Sequence, residues 1–404
     1  MGSGKRSIVG KAIVLAVFLL AIAPWAMAGV SYTVLDLGTL GGEFVQTHVT
    51  GINNLGQVVG WSSDAGKNTF RAFRTGPNAK INPATDDLGG AGGYRSHAYA
   101  INNLGQVAGT AGIGAGAFRT APNAKINAAT DDLGTLGGRA SSAFGINDSG
   151  QVVGDSDASD GHGRIFRTGS NAKINPATDD LGSFAGIDTE ALGINNAGQV
   201  VGYSAIPPIP GPGNYHAFRT APNAKINYPA DDLGSLGGNW SIATAINNLG
   251  QVVGWSYSGT QPGVRAFRTG PNAKINPATD DLGSLPGALH DTVAYAINDA
   301  GQVVGVSEWR AFLYRDGTMF DLNDLLTTPL PAGWSLTDAM GINSKGQIAV
   351  NGWDSSFNNH AFLLTPVPEP STLGMILVAV LGLVRRRLRC RARFLRMPGR
   401  VRRV

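Results

Sequence analysis

Residues able to carry acid–base or metal chemistry are scattered through this chain of 404 residues. Its histidines do not share one position of a long internal repeat and lack the spacing of metal ligands. They are His48, His97, His162, His216, His290 and His360. The chain has no G-x-S-x-G, no H-E-x-x-H and no glycine loop with a phosphate-binding lysine. No catalytic residue is therefore indicated, and we expect a protein that is not an enzyme.

One acidic segment has the alternating oxygen ligands that calcium prefers. It runs Asp155-Ser156-Asp157-Ala158-Ser159-Asp160-Gly161. Asp160, however, stands where an EF-hand loop needs glycine, and no helical pattern flanks the segment. We therefore expect a solvated acidic turn and no cofactor, with calcium binding as the alternative.

Aromatic residues recur at one variable position of the repeat, directly after a central glycine. They are Trp61, Tyr203 and Trp255, where other copies have Thr110, Asp155 and Val306. Packing between neighbouring sheets would bury such rings, and we favour that interpretation. The alternative is that they contact sugars with their flat faces. An insertion at residues 205–214, which holds four prolines, is expected to be a surface loop where a partner could be recognised.

The elements that must position these residues are set by a repeated nonapeptide, Ile-Asn-x-x-Gly-Gln-Val-Val-Gly with small departures. Its seven copies begin at Ile52, Ile101, Ile146, Ile194, Ile246, Ile297 and Ile342. Asn-x-x-Gly is typical of a turn, because asparagine bonds its own backbone and glycine adopts positive φ. The recurring asparagines are therefore expected to be structural, with a binding role for them as the alternative.

Each copy contains four short runs that favour β-strands, and no run has a helical period. Residues 31–38 match the last strand of a copy, whereas residues 360–364 match the third. These two strands could complete one sheet if the array closes on itself, which would remove exposed sheet edges. The sequence thus predicts an all-β fold over residues 29–366, a seven-bladed β-propeller of four-stranded blades, with an open β-solenoid as the alternative.

The amino-terminal residues 1–28 have the order of a secretory signal peptide. Basic residues precede an apolar stretch from Ala12 to Ala23, and small residues Ala26 and Ala28 follow. We expect cleavage after Ala28, with an uncleaved membrane anchor as the alternative.

The carboxy-terminal end combines an apolar run with a basic tail. Leu373 to Val384 would make a helix of about 18 Å, marginal for a hydrocarbon core of about 30 Å. Ten arginines and Cys390, the one cysteine of the chain, follow in residues 385–404, whereas residues 29–384 carry 19 basic and 28 acidic residues, a net charge of −9. Basic residues after an apolar run indicate a cytoplasmic membrane boundary rather than nucleic-acid binding. The exported part has no disulfide and no thiol nucleophile.

These carboxy-terminal features resemble a PEP-CTERM sorting signal, the tail of exosortase substrates. The resemblance rests on Pro368-Glu369-Pro370, the apolar run and Arg385-Arg386-Arg387, within residues 367–387; residues 388–404 extend beyond the usual end of such signals. It implies that an exosortase at the inner membrane recognises the tripeptide and cuts nearby. The part of the chain before the signal would then be released toward the surface or an extracellular polysaccharide. A plain membrane anchor is the alternative.

The repeats resemble the HAF-repeat family of extracellular proteins. His216-Ala217-Phe218 and His360-Ala361-Phe362 carry the family's tripeptide, and the resemblance covers about residues 35 to 365. The family implies no reaction.

Together these features predict an exported, exosortase-sorted protein that acts at the surface or in the matrix as a non-enzymatic interaction or polysaccharide-associated module. The alternatives are an extracellular carbohydrate-active enzyme with its site at the propeller mouth and a permanently anchored adhesin. Facing carboxylates or histidines at the mouth would favour the enzyme. A mouth of Asn, Ser and Gly would favour binding or a scaffold.

Overall fold

The computed structural model describes residues 30–41, 46–63, 69–90, 95–112, 116–185, 188–207, 214–259, 263–289 and 291–368. Tyr32–Pro366 form one compact unit; of the other unit, residues 1–31 and 367–404, only residues 30, 31, 367 and 368 are described. Helix is confined to α1 (Pro83–Asp86) and a 3-10 turn (Leu322–Leu325) in the described part. The expected all-β class is confirmed, and the arrangement of sheets is propeller-like.

The strands follow the sequence repeat. A single strand, β1 (Tyr32–Asp36), precedes the repeats. The first three repeats contain β2 (Thr47–Ile52), β3 (Val58–Ser63), β4 (Phe70–Arg74) and β5 (Asp87–Gly89); β6 (Ser96–Ile101), β7 (Val107–Ala111) and β8 (Gly116–Arg119); and β9 (Gly137–Ile146), β10 (Val152–Ala158) and β11 (Gly163–Arg167).

The later repeats continue the pattern. They contain β12 (Thr189–Ile194), β13 (Val200–Ala205), β14 (Tyr215–Arg219) and β15 (Asp232–Gly234); β16 (Gly237–Ile246), β17 (Val252–Ser258) and β18 (Val264–Arg268); β19 (Thr292–Ile297), β20 (Val303–Ser307), β21 (Arg310–Arg315) and β22 (Thr318–Asp321); and β23 (Ser335–Ile342), β24 (Ile348–Trp353) and β25 (Asn359–Pro366). Within each repeat, consecutive strands pair antiparallel.

The fourth strand of a repeat is short. In the second, third and fifth repeats it is reduced to a bridge between the buried phenylalanine of the third strand and an aspartate. These pairs are Phe118 with Asp132, Phe166 with Asp180 and Phe267 with Asp281. The Asp-Leu-Gly sequence explains this brevity, because its glycine takes positive φ and ends the extended run.

The seventh repeat obtains its fourth strand from the other end of the chain. β1 pairs antiparallel with β25, in a register from Tyr32 opposite Pro366 to Asp36 opposite Phe362. The sheet order is β1-β25-β24-β23. The pairing expected between the two terminal strands is therefore present.

The core lies between the sheets of successive repeats. Val153 of β10, for example, packs with Ala191, Val200 and Phe218 of the fourth repeat. Each third strand contributes one phenylalanine that is at most 2% exposed. These are Phe73, Phe118, Phe166, Phe218, Phe267, Phe312 and Phe362. Neighbouring repeats thus depend on each other for burial.

The Asn-x-x-Gly turn has the predicted geometry. In the first repeat, Asn53 Oδ1 accepts from the N–H groups of Leu55 and Gln57, and Gly56 has a φ of 81°. Asparagine holds its own turn in this way, and glycine supplies the left-handed conformation.

The same asparagine also reaches the next repeat. Asn53 Nδ2 donates to the carbonyl of Asn102 at 3.1 Å. The later asparagines repeat this bond, and Asn343 Nδ2 donates to the carbonyl of Asn53 at 3.0 Å. The hydrogen bonds therefore run from each repeat to the next and from the seventh back to the first.

Candidate functional site

Two cavities are candidates for a functional site because of their position and lining. The first, the axial cavity, measures about 240 Å³ and lies where the first strands of all seven repeats end. Each repeat contributes its isoleucine, its asparagine and the following residue, from Ile52-Asn53-Asn54 to Ile342-Asn343-Ser344. This lining is the Asn and Ser type that we associate with binding or a scaffold, with Asp148 and Asp299 as its two carboxylates.

The polar groups of the axial cavity are largely paired with each other. Burial raises the pKa of Asp148, but hydrogen bonds from the N–H and amide of Asn103 and the amide of Asn196 outweigh it and hold the pKa below its ordinary value. The backbone N–H of Asp148 in turn donates to Asn196 Oδ1 at 2.9 Å. Such a self-satisfied network stabilises the frame and leaves few groups for a ligand.

The second, the inter-repeat cavity, measures about 540 Å³ and lies among the third, fourth and fifth repeats. It is near the beginning of β12, the end opposite Ile194 and the axial cavity. Its volume falls in the range usual for small-molecule sites. Its lining comprises Asp155, His162, Gly163, Arg164, Asp188, Thr189, Glu190, Tyr203, Tyr215 and Trp240.

Two carboxylates of this cavity lie close together. Asp155 Oδ1 accepts from the N–H of Ala191 at 3.5 Å, next to Glu190. Burial first, and the negative charge of Glu190 second, raise the pKa of Asp155 to about 7. Among the described residues, no lysine, arginine or histidine lies within ion-pair distance of either carboxylate.

The tyrosine hydroxyls are held by the acidic residues. Tyr215 Oη donates to Asp188 at 3.0 Å, and this bond, with burial, raises the pKa of Tyr215. Burial, together with a hydrogen bond to Glu190, raises the pKa of Tyr203. Both phenols therefore stay protonated and serve as fixed donors.

Aromatic rings form one wall of the inter-repeat cavity. The ring centroids of Tyr203 and Tyr215 lie 5.7 Å apart at nearly a right angle, and Trp240 lies 5.2 Å beyond Tyr215. Trp255 and Tyr257 extend the row from Trp240 at 6.1 and 6.2 Å. The indole Nε1 of Trp240 is buried and has no hydrogen-bond partner in the described part of the chain. A buried donor of this kind costs free energy until a partner reaches it.

The cationic residues at the rim are exposed. Arg164 forms ion pairs with Asp160 and with Asp180, the latter at 2.8 Å, so its charge is already matched. His162 is exposed. The cavity therefore carries a net negative charge around Asp155 and Glu190.

The acidic segment does not form a calcium loop. Asp155 and Asp157 lie in β10, where Asp155 accepts from Ala191 and Asp157 from the N–H of Ala140, whereas Asp160 pairs with Arg164. In the described ranges, no group of three or more His, Cys, Asp or Glu residues could hold a metal ion.

The three aromatic residues singled out in the sequence have different surroundings. Tyr203 lines the inter-repeat cavity, and Trp255 lies behind its wall. Trp61 stacks on His48 with centroids 4.1 Å apart and meets His97 of the second repeat edge-on at 5.7 Å. Trp61 thus packs between repeats.

Sequence reasoning missed Glu190, Tyr215 and Trp240. The available signal was variation among copies, since Glu190 stands where the first two repeats have His48 and His97. Of the insertion after Tyr203, residues 208–213 lie outside the described residues.

The sorting signal matches a known motif. The PEP-CTERM protein-sorting motif matches residues 366–389. Such motifs are recognised by exosortases and indicate export and sorting toward the cell surface or outside. Pro368 is described, whereas Glu369, Pro370, Arg385, Arg386 and Arg387 lie outside the described residues, as do Ala26, Ala28 and the predicted apolar helix. No helix within the described residues is long and apolar enough to cross a membrane.

Whole-chain comparisons give little more. No curated protein matches the chain. A solved structure from a study of two prolyl endopeptidases and their inter-domain dynamics is similar, with 12% sequence identity and a TM-score of 0.45. The match covers 91% of this chain, and the chain spans 56% of the length of that structure.

Proposed function

We propose that this chain is an exosortase-sorted protein that acts outside the cell as a non-enzymatic interaction module associated with polysaccharide. The observation that carries the proposal is the PEP-CTERM motif at residues 366–389, directly after the last strand, β25. Sorting of this kind suits a module that works at the surface or in the surrounding matrix.

We propose that the module is a closed seven-bladed β-propeller of the HAF-repeat type. Two observations support closure: β1 supplies the last strand of the seventh sheet, and Asn343 bonds back to Asn53. Closure leaves no unpaired sheet edge, which keeps an exported protein from pairing with other chains.

The two ends of the chain would be processed in this proposal. A signal peptide of residues 1–28 would be cleaved after Ala28, and exosortase would cut near Pro368-Glu369-Pro370 while the apolar run and arginines hold the tail in the membrane. A retained tail would instead make the protein an anchored adhesin.

The inter-repeat cavity is the proposed contact point for polysaccharide. Tyr203, Tyr215 and Trp240 offer flat aromatic faces, and carboxylates lie beside them as hydrogen-bond acceptors. Sugar rings stack their apolar faces on aromatic side chains while their hydroxyls bond polar groups.

Mass spectrometry of the mature protein tests the sorting proposal. We expect an amino terminus at Gly29 and a carboxy terminus upstream of Arg385, and we expect E369Q to accumulate with its tail attached. A mature wild-type protein that still contains residues 385–404 would contradict the proposed cleavage by exosortase. A glycan-array assay of the mature protein tests the interaction module, which fails if no glycan binds.

One observation favours a second candidate, a carbohydrate-active enzyme. A carboxyl with a pKa of about 7 beside a second carboxylate is the pairing that glycoside hydrolysis uses as acid and base. Release of reducing ends from polysaccharide by the wild type, lost in E190Q, would establish this candidate.

A further inference from the structure

The negative charge of the inter-repeat cavity has no cationic partner among the described residues, which favours a positively charged ligand. We propose that this cavity binds a protonated amino group carried on a sugar ring, so that its ligand is an amino sugar or a chain of them. The inference rests on the proposed polysaccharide association and names the chemical class of the sugar.

The first argument is electrostatic. Asp155 and Glu190 lie side by side in a part-buried site, and no described cation pairs with either. Burying carboxylates without a cationic partner costs free energy, and an ammonium group between them would offset that cost. The ionic groups that face Asp155 from neighbouring elements are Glu190 and Asp188, with His162 and the already paired Arg164 at the rim.

The second argument is the shape of the aromatic wall. Tyr203 and Tyr215 meet at 78°, which makes a corner of two π faces beside the carboxylates. An ammonium group is attracted to such faces, most strongly where water is excluded. Aromatic rings and carboxylates together select a cation over a neutral hydroxyl.

The third argument identifies a sugar as the carrier. The aromatic row continues from Trp240 to Tyr257, which is 39% exposed, with Trp255 behind it. Successive sugar rings can stack along a row of this kind.

Proton release is a further consequence. Because burial and Glu190 raise the pKa of Asp155 to about 7, Asp155 is largely protonated in the free protein below that pH. An ammonium ligand favours the ionised form and displaces the proton. The affinity for the charged form of the amine, after correction for the fraction of amine that is protonated at each pH, should rise roughly tenfold between about pH 5.5 and pH 7.

Calorimetric titration of the mature protein tests the inference. The probes are a β-linked glucosamine tetramer, its N-acetylated counterpart, a neutral glucose tetramer and a tetrapeptide of lysines. We expect the glucosamine tetramer to bind at least about tenfold more tightly than the other three. In E190Q this preference should fall by about tenfold, because glutamine keeps the shape without the charge. In D155N the pH dependence of this corrected affinity should disappear.

D316N is the matched control, because Asp316 lies in the exposed turn between β21 and β22. Its affinities should equal those of the wild type, and thermal melting should show that all three variants fold. Equal binding of acetylated and free-amine tetramers overturns the inference while the polysaccharide association stands. Equal or tighter binding of the lysine peptide also overturns it, in favour of a protein ligand. If no glycan binds, the inference and the proposed association both fail.

Discussion

At the scale of single residues, one repeat position shows how a polar side chain joins neighbouring repeats. In the seventh repeat it is Asn351, which accepts from the N–H of Val49 at 2.8 Å and donates to the carbonyl of Val49 at 3.3 Å. In the third repeat it is Asp155, which faces the equivalent residue Ala191 but accepts only from its N–H. A carboxylate cannot donate, so Asp155 satisfies one of two backbone groups and adds a charge.

D155N should therefore stabilise the protein above neutral pH. The folded state raises the pKa of Asp155 to about 7, so its contribution to stability falls as pH rises from about 4 to 7 and stays low above pH 7. A shift of this size corresponds to about 4 kcal/mol at most, and we expect D155N to recover about 2 kcal/mol at pH 8. Urea midpoints of the two proteins at pH 4.5 and pH 8 check this. A difference that shrinks as pH rises would contradict it.

The turn asparagines predict a different residue-scale effect. Asn195 makes four hydrogen bonds, which involve Ala197, both the side chain and N–H of Gln199, and the carbonyl of Asn247. N195A would leave these buried groups unpaired and should cost about 3 kcal/mol. The exposed Asn239 of β16 is the control, since N239A should cost about 1 kcal/mol or less. Equal urea midpoints for the two variants would show that the inter-repeat bonds contribute little.

At the scale of the strands, the two glycines of the nonapeptide have different structural roles. The first closes the turn with positive φ, as at Gly150 (75°). The second, Gly154 in the third repeat, has no turn to make: a Cβ there would overlap the carbonyl oxygen of Ser142 on the paired strand β9. The seventh repeat has Val350 instead, and its register shifts lie between Leu336 and Asp338 and between Ala339 and Gly341. The second glycine thus permits a close approach at a β-bulge.

G154A should be strongly destabilising for this reason. The overlap is with backbone, so β9 and β10 must separate, at a cost of about 3 kcal/mol or more. G163A is the control, because a Cβ at Gly163 meets nothing within 4 Å. Thermal melting of both variants is the measurement, and an unchanged melting temperature for G154A would refute the close-approach explanation.

The sequence predicts the turns within each repeat but not the contacts between repeats. The turn followed from Asn-x-x-Gly because its bonds are local to Asn53 and Gln57. The bond from Asn53 to Asn102 joins residues 49 positions apart, and spacing alone does not show which carbonyl faces which amide. The same limit applies to the site: Glu190 is the cross-strand neighbour of Tyr203 in one repeat, whereas Asp155 and Trp240 join them only through contacts with the third and fifth repeats.

At the scale of the whole molecule, the terminal strands join the two ends of the repeat array. Val34 of β1 lies opposite Leu364 of β25, so the seventh sheet is completed by residues from the start of the chain. Leu37 N–H extends this ladder to the carbonyl of Ala361 at 2.9 Å. Pairing of this kind couples the start of the chain to the seventh repeat, so loss of β1 should destabilise that repeat and its neighbours.

Removal of β1 tests this coupling. Deletion of residues 30–37 should lower the urea midpoint sharply and promote self-association, since β25 becomes an exposed edge. The same residues reinserted after Pro366 through a linker of about four residues can pair with β25 as a hairpin, and should restore most of the stability. Light scattering and urea unfolding check both variants. A deletion that leaves both readouts unchanged would show that β1 does not complete the sheet.

The place of β25 has a mechanical consequence. The sorting motif begins at residue 366, the last residue of this strand, so a force applied to the tail would act along β25. The strand lies between β24 and β1, with five residues paired to β1 and six to β24. A load along its axis must therefore shear two hydrogen-bonded ladders at once instead of peeling one. If the tail is held in a membrane, as we propose, the protein should withstand flow and drag at its attachment point better than one attached through an edge strand.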